Sequence, residues 1–139
     1  LAQWGCLLIH QTLGGDFKGE NAMDVLMSTG NKPIRGHGIT RLKAFAEWTF
    51  TQPAGTTIIV GGHSLYFRYF FQTFLPFSTE HQARDCKLVN AGVVAFTLQR
   101  GTHQGTKMYR IDPGSLTTVY GGFLQPDKKK KTKSALPSA

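Results

Sequence analysis

Gly61, Gly62, His63 and Ser64 lie between a β-branched run, Thr56-Thr57-Ile58-Ile59-Val60, and a segment with helical spacing that starts at Leu65. A histidine at the junction of a strand and a helix N-terminus suits an anion, and a phosphoryl group above all. A cationic imidazole and the first-turn N–H groups both favour negative charge there. The two glycines are expected to let the backbone turn tightly. His63 is therefore the candidate catalytic residue, and His63 with Ser64 the candidate phosphate contact. The competing reading of His63 is a core or loop histidine that hydrogen-bonds to backbone.

Two further residues are expected to support this pair. Arg68 follows His63 by five positions, more than a helical turn, which suits an orienting or ion-pairing role; Arg41 is open to the same reading. Asn90 precedes a later β-branched run, where it can hydrogen-bond into the loop around His63 or serve as an ordinary turn asparagine.

The elements that must position these groups follow from periodicity. Thr57 to Val60 reads as a buried parallel strand. Phe67, Phe70, Phe71 and Phe74 recur at helical spacing until Pro76, a stripe better explained as core than as a ligand box. Upstream, Ile39, Leu42, Phe45, Ala46 and Thr49 share one helix face, with Arg41, Lys43 and Glu47 toward solvent and Pro53 as the stop. Thr79 to Cys86 is expected to be a short polar helix. Val93 to Leu98 and Lys107 to Ile111 read as strands, with Gly101 to Thr106 between them in hairpin-like spacing. Residues 1 to 30 offer only a short apolar run, Trp4 to Ile9, a Gly-rich polar stretch from Gly14 to Glu20, and an apolar patch, Met23 to Met27. The order predicts an α/β layered sandwich with a mixed sheet, its ligand beyond the carboxyl end of a strand, where His63 falls.

The strand, His63-Ser64 and Arg68 resemble the second-half signature of the histidine phosphatase superfamily, the phosphoglycerate mutase-like proteins. The resemblance extends through Asn31-Lys32-Pro33 and Gly38-Ile39-Thr40-Arg41-Leu42 upstream. Downstream it takes in Lys87 to Phe96, Tyr109-Arg110-Ile111-Asp112-Pro113 and Gly121-Gly122-Phe123, so that it covers residues 28 to 123. It implies a partial phosphoglycerate mutase-like domain that hydrolyses phosphate esters or transfers phosphoryl groups through a phosphohistidine. In that chemistry the histidine matching His63 holds the phosphoryl group and stabilises its charge. The implied partner is a phosphorylated small molecule or a phosphoprotein, with no cofactor and no metal.

The superfamily's nucleophile sits in an Arg-His-Gly triplet, which this sequence lacks. Arg35-Gly36-His37-Gly38 has the residue types with a glycine inserted, and His10 ends a strand-like run with Ile9 in the arginine's place; either is a weak candidate. Ser64 stands where the acid phosphatase branch has an aspartate. Glu20 is a proton donor by residue type alone. The chain also begins with Leu1, so the expectation is a C-terminal portion with little activity on its own. Two alternatives stay open: a non-catalytic phosphate-binding or interaction module, and a serine hydrolase. In the second, Gly62-His63-Ser64-Leu65 resembles a nucleophile elbow, with Ser64 attacking an acyl carbon and Asp85 or Asp112 with His103 completing the set. Tyr66 stands where such an elbow needs a small residue.

With 139 residues, 40% of them hydrophobic, the chain can bury one modest core. Its organisation reads as an N-terminal segment of weak signal (1–27), the phosphoglycerate mutase-like portion (28–124) and a lysine-rich tail (125–139). The formal charge of +8 falls to +3 once Lys128, Lys129, Lys130, Lys131 and Lys133 are set aside. Such a tail reads as a solvated end, and less readily as a nuclear-import signal or a polyanion contact. Cys6 and Cys86 fit no Cys-x-x-Cys or zinc spacing and are expected to be reduced thiols of a cytoplasmic protein. Trp4 to Ile9 is too short to span a bilayer.

Overall fold

The computed structural model describes residues 4–16 and 37–125. The strands are β1 (Trp4–Asp16), β2 (Ile58–His63), β3 (Val93–His103), β4 (Thr106–Ile111) and β5 (Thr117–Tyr120); the helices are α1 (His37–Thr49), α2 (Ser64–Phe74) and α3 (Gln82–Asp85). The strands form one mixed sheet in the order β2-β1-β3-β4, with β5 also on β3, so the fold is α/β. β1 is parallel to β3 and antiparallel to β2, while β3 is antiparallel to both β4 and β5.

Two expectations are corrected. The Thr57–Val60 run is neither parallel nor buried on both faces: β2 pairs only with β1, antiparallel, so that Ile58 is buried while Ile59 is 72% exposed. A short β-branched run looks alike in a central strand and in an edge strand packed on one face, because its pattern does not reveal how many neighbours it has. The second correction concerns the N-terminus. Trp4 to Asp16, which carried little signal beyond the apolar run, supplies the strand between β2 and β3.

The core lies on one face of the sheet. Leu7 and Ile9 of β1, Val94, Phe96 and Leu98 of β3, and Tyr109 and Ile111 of β4 meet the stripe of α2. Phe67, Phe70, Phe71 and Phe74 are all buried, as their spacing predicts. Phe70 lies 5.8 Å from Phe96 and 4.7 Å from Phe74, ring centroid to centroid, and Phe71 lies 5.6 Å from Phe96. Each such ring contributes about 1.5–3 kcal/mol by leaving water. α1 closes the layer with buried Leu42, Ala46 and Thr49, and Arg41, Lys43 and Glu47 stay exposed as its pattern requires. On the opposite face Trp4, His10, Ile59 and His63 are exposed.

The β3–β4 hairpin is tighter than its sequence spacing suggested. Both strands run on until only Gln104 and Gly105 form the turn, and both have positive φ (50° and 78°), the conformation that suits the twist of a two-residue hairpin loop. Among the described residues no helix is long and apolar enough to cross a membrane. Both cysteines are free thiols. The lysine-rich tail, Glu20, Met23 to Met27, Asn31-Lys32-Pro33 and Arg35-Gly36 lie outside the described residues.

Candidate functional site

β2 delivers His63 to the end of the sheet, and the chain passes without a loop into α2. His63 is the N-cap, in an extended conformation (φ −77°, ψ 139°), and its side chain makes no capping hydrogen bond. The imidazole is exposed. Ser64, the first residue of α2, is 3% exposed and belongs to the buried face of the helix. Its burial places its hydroxyl away from solvent, where an acyl substrate would have to arrive. The expected turn at Gly61-Gly62 is absent: both glycines continue β2, and neither has positive φ. What Gly62 provides is clearance, because a Cβ there would stand 3.1 Å from the Phe67 ring, whereas one on Gly61 would meet nothing within 4 Å.

The neighbour of His63 is Trp4, which was not singled out in the sequence. The two are directly opposite in the β1–β2 register, and their rings stack with centroids 4.0 Å apart and planes tilted by 39°. Asn90 lies next to this pair and is linked to Trp4 rather than to His63. Its Oδ1 accepts the Trp4 N–H at 3.2 Å, and the Ala91 N–H donates to the Trp4 carbonyl at 2.7 Å. Ala91 has positive φ (63°), and a Cβ at the next residue, Gly92, would come within 2.8 Å of Leu88 and 2.9 Å of the Val89 carbonyl. The turn that carries Asn90 is thus sterically specified.

Arg68 does not join this group through any hydrogen bond. Its guanidinium lies 5.9 Å from the centre of the Tyr69 ring, and its Nε is buried with no partner among the described residues. Arg41 lies close enough to Tyr66 for its positive charge to oppose the rise in the Tyr66 phenol pKa that burial causes.

The register separates the remaining candidates. His10 is six residues along β1 from Trp4, about 20 Å from His63, and pairs with Thr97 at the sheet's middle. His103 ends β3, ten residues beyond Val93, which is the partner of Cys6, itself two residues in from Trp4; along the strand it lies about 40 Å from the His63 end. A Ser64-His103 hydrolase arrangement is therefore not assembled. Asp112 uses Oδ1 to accept the Gly114 N–H at 3.2 Å, fixing a turn. Among the described residues no group of three metal-ligating side chains comes together.

Comparison with protein-family models, with curated proteins and with solved structures finds no match for this chain.

Proposed function

We propose that this chain is the C-terminal portion of a histidine phosphatase superfamily domain, and that by itself it contacts a phosphoryl group through His63 without turning it over. One observation carries the reading: His63 is exposed at the N-cap of an eleven-residue helix, with its side chain uncommitted to capping. The helix end favours an anion, and an imidazolium there adds charge-assisted hydrogen bonding. Trp4 and Asn90 hold the imidazole's surroundings in place, which limits the ordering cost of binding. The absence of Arg-His-Gly from the sequence, and the separation of His10 from His63, support binding rather than catalysis. The buried Ser64 hydroxyl gives no support to an acyl-transfer reading. A phosphorylated small molecule or phosphoprotein is the corresponding partner, and a polyanion contact through the lysine-rich tail is a separate, weaker one.

Inorganic phosphate titrated into the isotope-labelled chain should shift the His63 imidazole and Ser64 amide resonances saturably. Sulfate should compete, and chloride at equal ionic strength should not. His63→Ala should abolish the response while the background hydrolysis of p-nitrophenyl phosphate stays at the buffer rate. A response that survives His63→Ala, or none at all in the unmodified chain, overturns the assignment. In a domain completed by an upstream Arg-His-Gly segment, the same substitution should cost on the order of 3 kcal/mol of transition-state stabilisation.

A further inference from the structure

At the opposite end of the sheet, some seven residues and about 23 Å along β1 from Trp4, polar groups collect that the His63 reading does not use. A cavity of about 220 Å³ is lined by Gln11, Leu13, Phe50, Ala54 and Arg100, among others. Strand alternation sends Gln11 and Arg100 to the core face, continuing Leu7-Ile9 and Val94-Phe96-Leu98, at the point where the aromatic core ends. Arg100 makes no hydrogen bond or ion pair among the described residues; its guanidinium lies 5.0 Å from the centre of the Phe50 ring. The nearby carboxylate on α1, Glu47, is committed to Lys107 at 3.4 Å.

Beside this cation two buried polar atoms have no partner: Gln11 Nε2 and Tyr109 Oη. Tyr109 is only 5% exposed, is cross-strand to Arg100, and packs its ring 5.6 Å from Phe50. Its phenol is held above the ordinary tyrosine range, chiefly by burial and further by Glu47, with the charge of Arg100 opposing, so it stays a neutral donor. Thr12 also lines the cavity, and its Oγ1 is unpartnered as well, although alternation starts that side chain from the other face of the sheet. Buried donors are nearly always satisfied, and leaving several together is costly unless something accepts from them. Here every orphan on the core face is a donor, next to an uncompensated cation and an aromatic face.

We propose that this cavity binds a small organic carboxylate, its oxygens accepting from Arg100 and Gln11 and its apolar body lying among Phe50, Leu13 and Ala54, with Tyr109 packed behind Arg100 and Phe50 rather than lining the cavity. A guanidinium presents two parallel donors matched to a carboxylate. The volume lies below the range of drug-sized pockets, which limits the ligand to a small metabolite-sized acid.

The test titrates benzoate and succinate into the labelled full chain, with sodium chloride at matched ionic strength as the control. Saturable shifts are expected at the Gln11 side-chain amide, the Arg100 Nε–H and the Phe50 ring for at least one acid. Arg100→Gln should abolish them. Gln11→Leu, which keeps most of the side chain's bulk and removes the orphan amide, should preserve the melting temperature and weaken binding roughly fivefold. His63→Ala should leave the acid response intact, so failure here and failure of the phosphate reading are separable. Equal shifts with chloride, undiminished binding by Arg100→Gln, or a drop in melting temperature for Gln11→Leu with no change in affinity would each overturn the proposal; the last would mean that water or protein already satisfies the amide.

Discussion

At one end of the sheet a histidine stands in solvent against a tryptophan ring; at the other an arginine lies over a phenylalanine, among polar atoms without partners. The first end joins a local event, a strand that becomes a helix within one residue, to a strand pairing that brings Trp4 against His63. The second is assembled from β1, β3 and the segment after α1, three stretches far apart in sequence. The helix cap alone follows from one segment, whereas the Trp4 contact and the cavity exist only if the sheet forms in this register.

The largest test strikes what both ends share. Phe70 touches Phe45, Phe71, Phe74 and Phe96, so Phe70→Ala should lower stability by about 3–5 kcal/mol, read from urea midpoints, and abolish ligand responses at both ends. If one end persists at full affinity, the two do not share a core.

A smaller change should separate them. Gly62→Ala forces a methyl against the Phe67 ring at 3.1–3.2 Å and should cost about 1–3 kcal/mol. Amide shifts should concentrate around His63, Trp4 and Asn90 and spare Arg100. Gly61→Ala, with open space around it, should stay within about 0.5 kcal/mol of the parent. Equal effects at the two glycines would refute the packing role assigned to Gly62.

The smallest effect guards against misreading the first end. His81 accepts the Ala83 N–H at Nδ1 (3.0 Å) as the N-cap of α3, and burial holds its pKa below the ordinary histidine value. Its proton is therefore bound more tightly in the unfolded chain. Stability from this group is full above the unfolded pKa and is lost as pH falls through that value toward the folded one. α3 leans on α2 through Gln72 Nε2 and the Arg84 carbonyl at 2.9 Å. Acid loosening near α2 should thus come from His81. His81→Asn, which keeps an acceptor for the cap, should flatten the slope of urea midpoint against pH between about 7 and 5; an unchanged slope would assign the titration elsewhere.

Much of the scaffold could be read before the structure. The aromatic stripe of α2 and the apolar face of α1 repeat at helical period, and burial follows that period because one helix face must leave water. The hairpin was legible as two β-branched runs with glycines between them, although its two-residue turn was not. His63 and Asn90 were named, but their link through Trp4 was hidden, because it arises from a strand pairing 59 residues apart in sequence. Arg100 carries a signal readable in the sequence: it falls on the same alternation as Val94, Phe96 and Leu98, a charged residue in core phase.

Sequence alone determined which residues seek the interior, where the helices stop and where a histidine meets a helix N-terminus, because those features depend on spacing within one segment. Tertiary structure decided that β1 lies between β2 and β3, that β2 is an antiparallel edge, and that Gln11, Phe50 and Arg100 gather around one cavity. Those outcomes depend on which distant strands exchange hydrogen bonds and in what register, and a one-residue slip in β1 would turn every side chain of that strand to the other face.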